Sequence, residues 1–276
     1  MDSSRSSYVA LATFLRVFPQ IKTLGIRPCL ADYDLSEREL LKRAQRILFP
    51  TPRFVQVLDA AGKATFPSMA SYAFRRSRIL QVQLLDYHEV PMPRTRWYYG
   101  FRQKRRIVRD FKLPLVALGP RAIPGSKRLI TTPSELWGWV DRINPVLIQE
   151  YLPLTQRLRL ICVNCRCLGV HLSRGDGNGY QPFPPTDKYG PVIDQVIEVT
   201  LQLIQAHGLD DIALEWGYGR GQWWALGASR PPVMVDTLDG MINRHEMVGR
   251  MITEGMVHSL GGKALLVYRG KCMETT

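Results

Sequence analysis

The sequence predicts an α+β protein with a short α/β segment ahead of its main body. Three observations carry that prediction. A β-α-β order occupies the front of the chain. Paired apolar runs around turn residues recur in the second half, LRLICVNCRCLGVHLSR and then residues 212–216 with 222–226, and read as antiparallel hairpins. Between them an amphipathic helix opens at Pro191 and lines up Val192, Ile193, Val196, Val199, Leu203 and Ile204 on one side.

In chain order, residues 23–27 (TLGIR) form a short strand. Ser36 to Glu39 fits a capping box, with Asp34 a second candidate cap. Leu40, Leu41, Ala44, Ile47 and Leu48 follow at helical spacing, and Pro50 and Pro52 stop the helix or the short strand after it. FPSMASYAF leads into a helix over 78–87, and Pro91 and Pro93 keep the next stretch extended. A basic helix is expected over 102–111. LPLVALGPRAIPGSKRLIT reads as two strands around a Pro/Gly turn, and Pro133 opens a helix bearing Trp137 and Trp139. Residues 145–152 (PVLIQEYL) are a buried-type strand with a carboxylate near its end. The first hairpin turns near Asn164 to Arg166, a Gly/Pro-rich loop covers 176–188, and His207-Gly208 ends the amphipathic helix. Gly217 to Gly221 turn the second hairpin. A helix is expected from Val233 to His258, then a short Gly/Lys-rich tail.

The 276 residues are 45% apolar and 22% charged, the balance of a globular protein with ample length for a core. No apolar run approaches ~18 residues, so no membrane span is expected. Asp2 precedes the apolar stretch near the N-terminus and no small-residue cleavage site follows, which argues against a secretory signal. Five cysteines without disulfide-like spacing fit a reducing cytoplasm. The formal net charge of +13 raises nucleic acid as a partner. Its clusters, Arg75, Arg76 and Arg78, then Lys104, Arg105, Arg106 and Arg109, fall in expected helices, where the plain reading is a solvated basic face. No helix-turn-helix, zinc-finger or RNP signature accompanies them.

The order FPS…Y, VPMPRT, LPLVALGPR, IQEYLP, LRLICVN…LGVHLSR and GLDDIALEWG…GQWWALGASRPP resembles the ATP-grasp family, RimK-type carboxylate–amine ligases in particular, over residues 66–232. The resemblance implies a pre-ATP-grasp-like segment at 1–65, an ATP-grasp domain of two α+β subdomains at 66–260, and a C-terminal tail at 261–276. It also implies ATP between the subdomains, Mg²⁺ on side-chain oxygens of the last two strands, and a carboxylate activated as an acyl phosphate for attack by an amine. Gln149, Glu150, Tyr151 and Leu152 match the family's adenine-side strand. Arg159 matches the arginine of its "D-x-R" strand, and Arg174 the arginine near the transferring phosphoryl group, where fixed positive charge is most useful. Glu215 sits at the first metal carboxylate. Arg78 keeps positive charge where an upstream D-K pair often carries a phosphate-contacting lysine, though the two cations are not equivalent ligands.

The departures fall on the phosphate and metal contacts. The family strand P-x-V-x-K-P places Leu118 at its lysine here. The loop that should be Gly/Ser-rich, residues 121–128, has one glycine, and Pro124 offers no N–H; Arg121, Lys127 or Arg128 could supply charge instead. Arg157 stands where a ribose-side aspartate is common. In the family's "L-E-x-N-x-x-P" strand, Gly227 replaces the bridging glutamate and Ser229 the asparagine. A two-Mg²⁺ site bridged by a carboxylate cannot form there in the usual way. ATP and Mg²⁺ are thus implied by the family and opposed by Leu118, Gly227 and Ser229.

Cys162, Cys165 and Cys167 read as strand residues, because no second ligand pair completes a zinc site. Among the scattered histidines, His171 could face the cleft, with a packed histidine the plainer reading. Residues 175–179 (GDGNG) match a calcium loop only loosely. Three functions are carried forward. The first is an impaired or non-catalytic ATP-grasp relative acting as a binding or regulatory partner of a protein or peptide, with weak nucleotide binding or none. The second is an active ligase with contacts relocated to Arg121, Lys127, Arg174 and Glu215. The third is a basic nucleic-acid-binding protein.

Overall fold

The computed structural model describes residues 8–174, 180–182, 190–237, 240–254, 265–268 and 271–274. The front of the chain is a four-stranded parallel sheet. β1 (Tyr8–Ala10) and β2 (Lys22–Thr23) pair first, then α1 (Leu35–Arg43), β3 (Arg46–Leu48), α2 (Pro52–Ala60) and β4 (Ala64–Phe66) complete the order β2-β1-β3-β4. Four expectations change here. The strand expected over 23–27 is cut to Lys22–Thr23, because Gly25 turns at φ +89°. The capping box lies two residues earlier than Ser36: Asp34 accepts from the Glu37 N–H at 2.8 Å and Glu37 accepts from the Asp34 N–H at 2.9 Å. Ile47 and Leu48 leave the helix for β3, where both are fully buried. Pro52 starts a helix rather than stopping one, since at the first helical position its missing N–H is one the helix leaves unbonded anyway.

Ser68 and Ser77 cap α3 (Met69–Arg76) and α4 (Arg78–Tyr87) through their side chains. A second sheet follows: β5 (Thr95–Tyr98), α5 (Gly100–Lys104), α6 (Ile107–Asp110), β6 (Leu115–Leu118), β7 (Lys127–Ile130), α7 (Pro133–Val140) and β8 (Val146–Glu150), with antiparallel strand order β5-β8-β6-β7. The single basic helix expected over 102–111 is two short pieces, because Lys104 turns inward, buried, and donates to the Val140 carbonyl at 2.8 Å. Tyr98, Ile107, Leu115, Ile130, Val140 and Ile148 form this sheet's core. Val116, Leu118 and Leu147 lie on the other face, against Ile79 and Val82 of α4.

The third sheet holds β9 (Gln156–Val163), β10 (Arg166–Arg174), β11 (Gln181–Pro182), β12 (Asp211–Gly219) and β13 (Gln222–Ser229), antiparallel in the order β11-β10-β9-β12-β13. Its two tight hairpins turn on left-handed pairs, Asn164-Cys165 and Arg220-Gly221, which match the twist of the strands they join. α8 (Gly190–Ala206) covers one face, where Leu160, Cys162, Cys167 and Leu214 pack against Ile193 and Ile197. The loop expected over 176–188 and the GDGNG stretch lie outside the described residues, apart from the segment around β11.

The helix expected from Val233 to His258 is instead a hairpin, β14 (Met234–Thr237) with β15 (Gly240–Asn243), and a shorter α9 (Arg244–Thr253) capped by Asn243; residues 255–258 lie outside the described ones. Val248, Met251 and Ile252 of α9 return to the first sheet, beside Ala10, Leu48 and Phe66. A last hairpin, β16 (Leu265–Tyr268) with β17 (Lys271–Glu274), lies in the expected tail. The solvated basic face is also corrected in part. Arg75 pairs with Asp211 at 2.9 Å, and Arg244, fully buried, pairs with the other oxygen of the same carboxylate. Removing either partner would strand a buried charge, so these cations serve the interior. Among the described residues no helix is long and apolar enough to cross a membrane.

Candidate functional site

Residues directly opposite in a sheet share a face, so the pairing register builds the site. His171, Arg159, Glu215 and Gly227 form one row across β10, β9, β12 and β13. Ser173, Arg157 and Gly217 form the next row on the same face. Opposite stand the Val116–Leu118–Gln149 face of the second sheet and α4. Between them lies a cavity of about 220 Å³ lined by Arg78, Gln81, Leu118, Lys127, Glu215 and Gly227, among others. That is below the ~300–1,000 Å³ typical of small-molecule sites.

The expected cations divide into two kinds. Arg78 braces the loop after β6: its Nη1 donates to the carbonyls of Gly119, Arg121 and Ser126, each at 2.9 Å. Burial lowers its pKa. Arg121 is exposed and holds the start of the same loop to Ser77 by a backbone bridge. Lys127 pairs directly with Leu118, so a cation stands beside the position where the family keeps its lysine. Lys127 is exposed at the surface, and desolvation by the surrounding protein, first, lowers its pKa; like charge on Arg157 and Arg78 pushes the same way, and Glu215 opposes. The loop amides are largely committed within the protein. Gly119 N–H donates to the Ser126 carbonyl, Ala122 to Arg76, Ile123 to Arg121 and Ser126 to Ile123. With Pro120 and Pro124 lacking a donor, little backbone remains to cradle phosphate.

Along β8, Gln149 is buried and donates to Thr95 Oγ1 at 3.0 Å. Glu150 accepts from the Arg94 N–H at 3.1 Å and faces Arg220 at 3.5 Å. Tyr151 is exposed and Leu152 buried. Arg174 ends β10 opposite Gln156, and its side chain lies outside the described residues. His171 is buried, with Nε2 2.6 Å from the Asp236 carbonyl. The β14 hairpin therefore closes that end of the row, and the packed reading of His171 holds.

Glu215 carries the metal question. Its Oε1 accepts from Arg159 Nη2 at 2.7 Å, and the Arg159 guanidinium lies 4.3 Å from the Tyr180 ring centroid. On the next strand Gly227 has no side chain and Ser229 only a hydroxyl. Among the described residues no three His, Cys, Asp or Glu side chains converge as a metal site. Mg²⁺ keeps several waters and is usually held by one or two free carboxylates plus phosphate oxygens. One carboxylate already neutralised by a guanidinium and crowded by Lys127 does not fit it. At Gly227 the strand bulges, with φ +139°, and a Cβ there would stand 3.1 Å from Gln81 Oε1. The missing glutamate is thus accompanied by a backbone that disfavours any side chain.

Three participants were not anticipated as a group: Arg157, Ser173 and Tyr180. Among the described residues, the buried Nε atoms of Arg157 and Arg159 and the buried Ser173 Oγ have no hydrogen-bond partner. Sequence alternation alone does not place Arg159 beside His171. A register shift between Cys167 and Gly169 moves the pairing by one residue.

No protein-family model matches the chain, and no curated protein matches it in sequence. Solved structures do match in shape. A RimK domain ATP-grasp protein from Sphaerobacter thermophilus aligns at 16% identity and a TM-score of 0.62, over 91% of this chain and 97% of that one. N5-carboxyaminoimidazole ribonucleotide synthetase from Thermotoga maritima aligns at 14% identity and 0.60, over 82% and 68%. D-alanine–D-alanine ligase from Bacillus anthracis, solved with ATP, aligns at 11% identity and 0.58, over 82% and 86%. Identities this low carry the architecture and no activity, and on that footing the chain has the ATP-grasp fold.

Proposed function

We propose that the protein is a non-catalytic member of the ATP-grasp group, a binding or regulatory partner whose cleft no longer runs ATP-dependent ligation. One observation carries this reading: the sole cleft carboxylate among the described residues, Glu215, is paired to Arg159 beside the bare positions Gly227 and Ser229. Transfer of a phosphoryl group depends on positive charge held against its oxygens, usually by Mg²⁺ on carboxylates. Loss of comparable charge stabilisation costs about 3–4 kcal/mol of barrier for a single donor. The committed loop amides and the cramped cavity support the same conclusion. Its partner is a protein or peptide, and the protein acts in the cytoplasm.

A second reading is an active ligase with relocated contacts. The direct pairing of Lys127 with Leu118 favours it, because it puts an ammonium beside the missing lysine. Thermal denaturation with ATP, with and without Mg²⁺, combined with an assay for ADP release in mixtures of carboxylates and amines, separates the two. The non-catalytic reading expects no Mg²⁺-dependent rise in Tm and no ADP release. A rise that needs Mg²⁺, with turnover, establishes the ligase.

A further inference from the structure

Between Arg94 and Lys112 the chain carries eight basic residues and one carboxylate, Asp110, a net +7 within the formal +13. Lys104 is the buried cation of the eight, and the other seven are exposed. Three of them gather around Asp110 beside β5: Arg94 donates to its carbonyl at 2.7 Å, and Arg96 and Arg109 each meet its carboxylate at 3.2 Å. One carboxylate leaves that group of cations unbalanced, and exposed pairs of this kind hold their side chains only weakly. Arg102, Arg105, Arg106 and Lys112 have no ion pair among the described residues. Arg105 instead lies 4.2 Å from the Phe101 ring centroid, and Phe101 and Tyr99 are 61% and 48% exposed.

The same edge carries a groove. β5 is the outer strand of its sheet, and its alternation turns Thr95, Trp97 and Tyr99 to one face while Tyr98 enters the core. Those three, with Asp86 of α4, Met92 and Gln103, line a space of about 460 Å³. It is twice the volume of the cleft cavity and within the ~300–1,000 Å³ typical of ligand sites. Gln83 and Asp86 line this groove and not the cleft. Gln103 Oε1 accepts the Tyr99 N–H at 2.8 Å, which sets α5 and its arginines against the groove. Arg96 also borders it, but its guanidinium meets Asp110. The groove therefore offers aromatic faces, two amides and one carboxylate, Asp86, without an ion pair among the described residues. A nucleobase uses all three: its ring stacks on the aromatics, its N–H groups donate to the carboxylate and its ring acceptors take amide N–H. An acidic peptide would meet Asp86 as a like charge, whereas the arginine forks outside the groove suit phosphate oxygens.

We infer that the β5 edge binds a single-stranded nucleic acid, with bases in the Trp97–Tyr99 groove and phosphates on Arg94, Arg102, Arg105 and Arg106. Stacking platforms beside a basic surface suit single strands, whose bases are free to turn outward. This surface lies outside the ATP-grasp cleft, and the inference goes beyond the proposed function without resting on it.

The test uses the full chain and fluorescence anisotropy of labelled oligouridylate and oligodeoxythymidylate of about ten nucleotides, over about 50–200 mM KCl. At least one probe binds, and the tighter of the two assigns RNA or DNA. The logarithm of affinity falls with that of salt by about 0.7 per phosphate contact. Replacing Arg102, Arg105 and Arg106 together by alanine weakens binding and lowers that slope by about 2. Tyr99→Ala and Trp97→Leu weaken binding about fivefold or more with the slope unchanged, because they remove stacking and no charge. Each variant is first shown to melt as the parent does; Tyr99, being exposed, serves if Trp97→Leu does not. No binding by either probe at 50 mM salt overturns the inference. So does binding that the arginine variant leaves unchanged, binding that Tyr99→Ala and Trp97→Leu both leave unchanged, or equal binding of a duplex, of polyglutamate or of anionic lipid vesicles, each of which reduces the effect to charge alone. None of these results bears on ADP release or on Mg²⁺-dependent Tm, so the non-catalytic reading stands or falls separately.

Discussion

Gly227→Ala should destabilise the protein by about 2–4 kcal/mol, from two sources. A non-glycine residue held at positive φ outside the left-handed helical well costs about 1–3 kcal/mol, and Gly227 sits at φ +139°. The new Cβ would also stand 3.1 Å from Gln81 Oε1. That oxygen accepts the Ala228 N–H at 3.2 Å, while the amide nitrogen of the same side chain donates to the Phe74 carbonyl at 2.8 Å and the Ala228 carbonyl at 3.1 Å. Shifting Gln81 weakens a buried bond worth about 1 kcal/mol. For a chain of this size each kcal/mol moves Tm by roughly 2–4 °C, so a fall of roughly 4–16 °C is expected. Gly240→Ala is the control: φ is +119° there, and nothing lies within 4 Å of the added Cβ. It should lose only the backbone part. Urea denaturation followed by circular dichroism measures both variants. Equal losses would remove the Gln81 contribution, and a Gly227→Ala variant within ~0.5 kcal/mol of the parent, the usual range for neutral surface changes, would refute a strained bulge. Gly227→Glu inherits the same strain, so restoring the family carboxylate by itself should not restore a metal site.

Two further predictions concern the interior. Asp210 is buried and desolvation raises its carboxyl to about 6, against hydrogen bonds from the Ser68 N–H and Ser71 hydroxyl. The folded chain therefore keeps a proton that an unfolded chain releases near pH ~4; this contribution is full below that pH and fades, by about 3 kcal/mol, as pH rises through 6. His245 runs the opposite way. Burial first, then Arg244, lowers it to about 4, so its contribution is full above pH ~6.5 and is lost, by about 3 kcal/mol, as pH falls to 4. The two slopes offset each other in the parent. Asp210→Asn should expose a stability that rises from pH 4 to 6, and His245→Phe one that falls; if neither variant changes the slope of denaturation free energy against pH, the burial of these groups has been misjudged. Separately, a Cβ at Gly249 would collide with the Phe18 ring. Gly249→Ala should cost about 1–3 kcal/mol by overpacking, and adding Phe18→Ala should recover part of it. Strict additivity of the two losses would show that they do not touch.

Much of the architecture was legible because its signals are local. Pro133 announces α7, standing at its first position where the missing N–H costs nothing. The apolar periods of 78–87 and of the helix after Pro191 announce α4 and α8. What failed were stretches where local preference and packing compete. Ile47 and Leu48 suit helix or strand, and only the neighbours β1 and β4 decide for strand. Residues 233–243 read as the start of a helix until β14 and β15 find each other.

The site divides along the same line. The residue types alone say which chemical groups are available: one carboxylate at 215, none at 227 or 229, leucine at 118, and arginines at 157 and 159. Those identities already argue against a carboxylate-bridged metal pair. How those groups meet is settled by strand pairing. A one-residue slip between Cys167 and Gly169 puts Arg159 beside His171 and Arg157 beside Ser173, and a bulge on β13 sets Gly227 opposite Glu215. Side chains alternate faces with every residue, so a shift of one moves a whole row from one side of the sheet to the other. No composition or motif records that shift. It is set by pairing between strands, and it brings His171 and Ser173 onto the face where Arg159 and Arg157 already alternate.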